Sequence, residues 1–196
     1  YANLLYQNVI NDSHQFTLGL NGTFDRYDEK LVRVVWMNGF MAAKEENEIT
    51  PLANTGVFGE YTYHAGEKFT AIAGLRGDWF YKEGFKVSPR VTLKYMPVDE
   101  IVIRANGGRG LRYSTPLVDN IGVFSTGKEY VGAFDQHILE DAWTMGGNIT
   151  YYMPFGASSN TYLSFDYFRT QFAQQMVVDY EYGMNEIHFY ALDGKR

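Results

Sequence analysis

The stretch AIAGLRGDWF, residues 71–80, alternates with the period of a β-strand, yet it sends Arg76 and Asp78 to one face and Leu75 and Trp79 to the other. Which face is the inside decides the fold. In a soluble sandwich the apolar face meets a core and the polar face meets water. In a transmembrane barrel the apolar face meets lipid and the polar face lines a wet lumen.

Bulk composition leaves both readings open. The chain has 196 residues, enough for one domain with a real core. Charged residues make up 20% of it and the mean hydropathy is −0.29, both ordinary for a soluble protein. No run of about 18 apolar residues provides a transmembrane helix, but a transmembrane strand needs only about 9–11 residues, alternate ones polar. Aromatic residues reach 17%, an excess that suits strands. The net charge of −6 argues against a nucleic-acid platform, because phosphate binding needs a basic footprint. The absence of cysteine removes disulfides, thiol nucleophiles and Cys-based zinc sites. The chain starts at Tyr1 inside a strand pattern and reads as a mature or excised fragment, so the lack of a leader carries no information on location.

Alternation continues along the chain. In residues 14–26, Phe16, Leu18, Leu20 and Phe24 oppose Gln15, Thr17, Asn21, Thr23 and Asp25. In 90–96, Val91, Leu93 and Tyr95 oppose Arg90, Thr92 and Lys94. The same pattern marks strands near 56–64, 69–80, 100–111, 143–153 and 161–171, with a weaker one at 2–10 and a further one near 187–192. The segment YVGAFDQHILEDAW reads as loop with at most one short helix. The connections 11–13, 65–68, 97–100 and 154–160 are short, whereas 27–55 and 112–140 are very long. Short turns at every odd connection fall at one end of the strands and the long loops at the other. That asymmetry is the mark of an outer-membrane barrel, with tight periplasmic turns and long extracellular loops.

Aromatic residues sort by height in the same way. Tyr61, Tyr63, Phe69, Tyr95, Tyr151, Tyr152 and Tyr162 lie toward the short turns, and Phe24, Trp79, Tyr81 and Trp143 toward the other end, as two membrane interfaces would select. Residues 69–80 extend roughly 40 Å at about 3.4 Å per residue. Tilted by about 45° they rise about 28 Å, enough for the apolar band. Arg76 and Asp78 are therefore expected to face a lumen, and Leu75 lipid.

The ordered motifs carry a resemblance. TGVFGEYTYHAGEKFTAIAGLRGDWF (55–80), VSPRVTLKYMPVDEIVIRANGGRGLRYSTPL (87–117), LEDAWTMGGNITYY (139–152) and LSFDYFRTQFAQQMV (163–177) resemble, in that order, successive strands of TonB-dependent outer-membrane receptors. Asp141 and Thr144 depart from the residues usual in the third motif. The resemblance implies an all-β fold, an antiparallel up-and-down transmembrane β-barrel segment of about eight or nine strands from a 22-stranded barrel. It implies that the plug and its TonB-contacting segment lie outside residues 1–196. It further implies an outer-membrane active-transport receptor in a Gram-negative bacterium, importing a scarce ligand such as a ferric siderophore, haem or cobalamin with energy supplied by TonB, with glycan import as a second possibility. The expected partners are outer-membrane lipid, TonB through the plug, and a small-molecule ligand such as a metal chelate.

Motifs for catalysis are lacking, and neither an enzymatic activity nor a cofactor is expected. GGRG (107–110) lacks the Lys-Ser/Thr of a phosphate-binding loop. Asp135, His137, Glu140 and Asp141 cluster in sequence and could hold a loop cation, whereas His64 with Glu67 is too few donors for a metal site. Met37, Met41, Met176, Met184 and His188 are soft-ligand types but scattered, which leaves copper a minor option. Trp36 and Met37 in the first long loop, and Arg112, Tyr113, Tyr130 and His137 in the second, are the candidates for ligand contact, with packing of the loops on themselves as the alternative. The rival from another class is a soluble β-sandwich or small barrel that binds a carbohydrate or other ligand on stacked Tyr and Trp. The membrane reading predicts one open sheet of sequential neighbours with Val91, Leu93, Tyr95, Ile101 and Ile103 facing outward.

Overall fold

The computed structural model describes residues 1–37, 40–153 and 161–194; among residues 33–48 only the side chain of Glu45 is described. Strands β1 (Ala2–Asn11), β2 (His14–Met37), β3 (Phe40–Ala65), β4 (Phe69–Phe80), β5 (Gly84–Val98) and β6 (Ile101–Tyr113) follow one another in sequence and in space. A segment with a short helix α1 (Pro116–Asp119), a 3-10 turn (Ile121–Ser125) and strand β7 (Glu129–Gly132) leads to β8 (Leu139–Tyr152), β9 (Tyr162–Asp179) and β10 (Glu186–Asp193). The ten strands form one sheet in the order β1-β2-β3-β4-β5-β6-β8-β9-β10-β7. All neighbours are antiparallel except β7, which lies parallel along the outer edge of β10. The turns at 11–13, 65–68 and 97–100 thus fall at one end of the sheet. The turn at 154–160 lies outside the described residues, although Tyr152 pairs with Tyr162 across it.

Register settles the faces. Leu20 pairs with Val57 and Ala73 with Val91, so the apolar positions of successive strands line up on one surface. That surface is uncovered: Leu20, Val57, Leu75 and Val91 are 47–59% exposed. No second layer packs on it among the described residues, which removes the sandwich reading. Exposed rings rim it at both heights. Tyr61, Tyr63, Tyr95 and Tyr151 lie toward the short turns, where His14 stacks on Tyr61, and Phe24, Trp79, Phe85 and Trp143 lie toward the other end. Apolar surface of this extent, open to its surroundings and edged by amphipathic rings, fits a hydrocarbon band between two interfaces.

The opposite, concave face is polar and cross-linked. Arg90 pairs with Glu60. Arg104 donates to Asn148 Oδ1, and Asn148 Nδ2 donates to Ser164 and Asp166, a relay across three strands. Arg76 grips Asp78 with two hydrogen bonds of 2.6 and 2.7 Å, and Asp78 is only 3% exposed. That grip needs Gly56: a Cβ there would collide with Asp78 Oδ1 and with Asn21 Oδ1. At Gly19 the ring of Phe58 lies over the backbone and fills the place of a side chain.

The structure also differs from the sequence-based expectations. Residues 27–55 are not an irregular loop. β2 and β3 run on as a hairpin, paired without interruption from His14↔Tyr63 to Met37↔Phe40. Lys30 reaches Glu45, diagonal to its paired Asn47, at 3.6 Å, and both are exposed. In sequence the apolar run Val34–Met37 and the charged run Lys44–Glu48 do not alternate, so a count of alternate positions does not report this ladder. The second long connection contains β7 within the stretch read as loop, and its helical turns lie earlier, at residues 116–125. The weak first strand is complete, ten residues long and paired along β2 with one break in register between Val9 and Asn11. Among the described residues no pairing joins β1 to β10, so the sheet is open, as expected for part of a wide barrel.

The face assignment has a direct test. In the complete receptor reconstituted in vesicles, Leu75→Arg should cost about 2–4 kcal/mol in denaturant unfolding, whereas Thr92→Arg on the concave face should cost about 1 kcal/mol or less. Equal costs would contradict the assignment.

Candidate functional site

The long-loop end of the concave face forms a basin of about 530 Å³, lined by Asp25, Tyr27 and Leu52 from the β2–β3 hairpin, Arg76, Asp78 and Phe80 from β4, and residues 109–113 from β6. Its cations are all engaged. Arg76 holds Asp78, Arg109 holds Asp141, and Arg112 bridges Glu140 at 2.8 Å and Asp119 at 3.2 Å. Bidentate guanidinium–carboxylate pairs fix both partners in plane. The basin is therefore a stiff polar wall whose guanidinium groups are all engaged by carboxylates that outnumber them, suited to a hydrated solute and not to tight capture of a bare anion.

Arg109 has a second task. The β5–β6 ladder stops at Arg90↔Gly108, and the two strands separate above it. Arg109 Nη1 donates 2.9 Å to the carbonyl oxygen of Val87, a β5 group left beyond the end of the ladder, while Nε and Nη2 donate to the two oxygens of Asp141. One side chain thus ties β5 to β6 and β8 where the β5–β6 backbone ladder no longer does, while β6 and β8 remain paired.

Over the basin lies a lid, residues 114–138. Leu117, Val123 and Phe134 of the lid bury themselves with Ile187 and Phe189 of β10, and Leu31 of the hairpin packs against this cluster. The lid is thus anchored on both flanks of the concavity. Gly132, at φ +94, lets the chain approach the carbonyl of Phe189, and a Cβ would strike that oxygen.

The sequence-based candidates divide accordingly. Trp36 and Met37 belong to the β2 ladder, but their side chains lie outside the described residues. Arg112 and Tyr113 do come together at the basin, where the Tyr113 ring meets Phe80 edge-on and its hydroxyl donates to the Tyr81 carbonyl. Tyr130 sits among Phe124, Phe134 and Phe189, with ring centroids 6.1–6.2 Å away. Burial, and after it the nearby Tyr180, pushes its phenol above the ordinary value, so Tyr130 stays neutral as part of the lid core. His137 is buried at the base of the lid against Tyr27. The loop-cation cluster does not assemble: Asp141 faces Arg109, Glu140 serves Arg112 and the Met176 N–H, and His137 turns toward Glu29. Among the described residues no three His, Asp or Glu side chains converge on a metal position. Sequence reasoning missed Arg109 and Glu29, and it placed Asp141 in a loop-cation cluster. The spacing in RANGGRGLR was the available signal for Arg109, and Asp141, a departure from the usual motif, still places a carboxylate at its guanidinium.

A single curved sheet, apolar outside and polar within, with a folded lid at one rim, defines a segment of a transmembrane receptor barrel. Residues 2–191 match the family described as TonB dependent receptor-like, beta-barrel, and the chain belongs to that family. Its members are transport receptors of the Gram-negative outer membrane. No curated protein matches the sequence. Among solved structures, a variant of the ferric enterobactin receptor PfeA from Pseudomonas aeruginosa is similar with a TM-score of 0.58 at 15% identity, covering 95% of this chain and 30% of that one. The siderophore receptor PirA from Pseudomonas aeruginosa gives 0.61 at 12% identity, covering 96% and 36%. The copper transporter OprC gives 0.60 at 18% identity, covering 97% and 32%. At these identities the likeness is one of fold, and the chain spans about a third of the length of these receptors.

If Arg109 closes the seam between β5 and β6, Arg109→Ala should raise amide hydrogen exchange across residues 84–90 about ten-fold in the complete receptor, the equivalent of one charge-assisted hydrogen bond. Unchanged exchange in that segment, read by mass spectrometry, would assign the closure elsewhere.

Proposed function

We propose that this chain forms the middle to later barrel wall of an outer-membrane active-transport receptor. The whole receptor takes up a scarce ligand from outside a Gram-negative cell and imports it with energy delivered by TonB to a plug held in the lumen. A ferric siderophore leads, because PfeA is a ferric enterobactin receptor and PirA a siderophore receptor. Haem and cobalamin follow, together with copper, the last from the likeness to the copper transporter OprC. The carrying observation is the division of the sheet into an apolar outer face with two aromatic rims and a polar, cross-linked concave face under a lid. A wall of this kind satisfies its backbone by pairing, dissolves in lipid on one side and hydrates a passing solute on the other. Arg112 and Tyr113 are the residues at the basin proposed to meet the cargo. Trp36 and Met37 are proposed to do so from the hairpin tip, and His137 and Tyr130 to support the lid that covers it.

The test is growth and uptake. A strain deleted for the complete receptor should lose accumulation of at least one iron-loaded siderophore from a panel supplied as sole iron source. Deleting TonB should abolish the same uptake, and Arg112→Ala with Tyr113→Ala should reduce binding by about ten-fold while surface expression stays normal. Uptake of every siderophore, haem, cobalamin and copper at wild-type rates in both deletion strains would refute the reading.

A further inference from the structure

Beside the basin, and further toward the short turns, the concave face holds a second cavity of about 520 Å³ whose lining is mostly apolar. Register fixes its parts. Gly110 of β6, Ala142 of β8 and Phe172 of β9 stand in one row across the sheet. The first two leave a floor of backbone and one methyl group, and the Phe172 ring, 39% exposed, stands at its end. Thr144, hydrogen-bonded to Thr170, borders this row toward the short turns, and Arg112, which pairs with Glu140, borders it toward the lid. The floor is bare where the rest of the wall is not. On this face the Phe58 ring covers Gly19, the Phe168 ring covers Gly146, Asp78 covers Gly56, and Arg90 covers Gly74 and Gly108. A Cβ at Gly110 would meet nothing within 4 Å.

We propose that this cavity binds an uncharged aromatic ring carrying a hydrogen-bond acceptor, such as an aryl amide, laid on Gly110 and Ala142 beside Phe172 with its oxygen toward Arg112. A flat ring is what this wall sets over Gly19 and Gly146, and a ligand ring would do the same at Gly110 while meeting Phe172 in an offset or edge-on contact. The space suffices, since about 150 Å³ holds benzene and small-molecule sites span about 300–1,000 Å³. Arg112 donates from Nε to Glu140 and from Nη2 to Asp119, and among the described residues its Nη1 makes no hydrogen bond. Two carboxylates already face this one cation, so a neutral acceptor suits the remaining donor better than an anion. Arg112 lines both the basin and this cavity, so a solute leaving the basin along the wall meets the ring station next. The ring is then part of the cargo's organic frame, a role that rests on the transport reading, whereas the binding itself does not.

The experiment is fluorine NMR of para-fluorobenzamide with the complete receptor in detergent, without TonB and corrected for receptor-free micelles. Gly110→Leu is the blocking variant, because its side chain enters open space from a backbone that is not left-handed. Gly122→Leu, at a lid glycine whose Cβ likewise meets nothing within 4 Å, is the control. Heat-modifiable migration on gels verifies that each variant is folded. The wild type and the control should broaden the fluorine signal, and Gly110→Leu should abolish the broadening. Phe172→Ala should weaken binding about five-fold, and benzamide should displace the probe at least about five-fold better than cyclohexanecarboxamide, which keeps the amide and lacks the aromatic ring. Equal broadening by wild type and Gly110→Leu, or none by either, would overturn the station. Equal displacement by the two amides, or wild-type affinity in Phe172→Ala, would overturn the aromatic assignment. Uptake plays no part in this readout, so the station and the transport reading fail separately.

Discussion

Everything in this structure follows from one prohibition: a backbone N–H or C=O cannot be left unpaired in hydrocarbon. An antiparallel sheet of sequential neighbours satisfies that rule with local hydrogen bonds and short turns, which is why nine strands of the meander keep their order. The rule then sets the side chains. Each strand must present lipid with one face and the lumen with the other, so the 2-residue period carries through every register pair. Where the ladder fails, between β5 and β6 above Gly108, a guanidinium takes up the orphaned carbonyl of Val87.

The concave face shows how a polar surface can be rigid. Glu60–Arg90, Arg76–Asp78, Arg109–Asp141 and the Arg104–Asn148–Asp166 relay each tie neighbouring positions on the wall. Exposed pairs contribute little to stability one at a time. Their effect here is to hold side chains still and to keep the guanidinium groups engaged, so that the lumen is wet without being an ion trap. Removing one partner of the buried Asp78 pair would leave an uncompensated charge, which costs far more than the pair itself contributes.

Much of this was legible in the sequence because lipid imposes a pattern on residues that must touch it. Leu75 against Arg76, and Val91, Leu93 and Tyr95 against Thr92 and Lys94, could be assigned to faces by counting, and the turn lengths ordered the strands. Legibility stopped where the chain leaves the membrane. Within residues 27–55 the runs Val34–Met37 and Lys44–Glu48 do not alternate, and a paired hairpin looks there like a loop. The lid obeys yet another logic. Its core of Leu117, Val123, Phe134, Ile187 and Phe189 gathers side chains up to 72 positions apart, which no local period announces. Tyr130, a candidate for ligand contact or loop packing in the sequence, has its ring among Phe124, Phe134 and Phe189. The opposition of Glu29 and His137 was hidden for the same reason, since nothing in either neighbourhood names the other.

The parallel strand β7 changes what the lid is. By pairing Glu129–Gly132 with residues 186–189 of β10, the lid occupies the upper edge of the wall itself and leaves the lower part of β10, from Tyr190 to Asp193, with its outer edge open among the described residues. Any strand that continues the barrel can zip onto β10 only from below Phe189. The roof is thus sewn into the masonry. It cannot lift as a flap on a hinge without unstitching a parallel ladder and exposing the aromatic cluster at its root, so movement above the basin has to come from the selvage on the hairpin side.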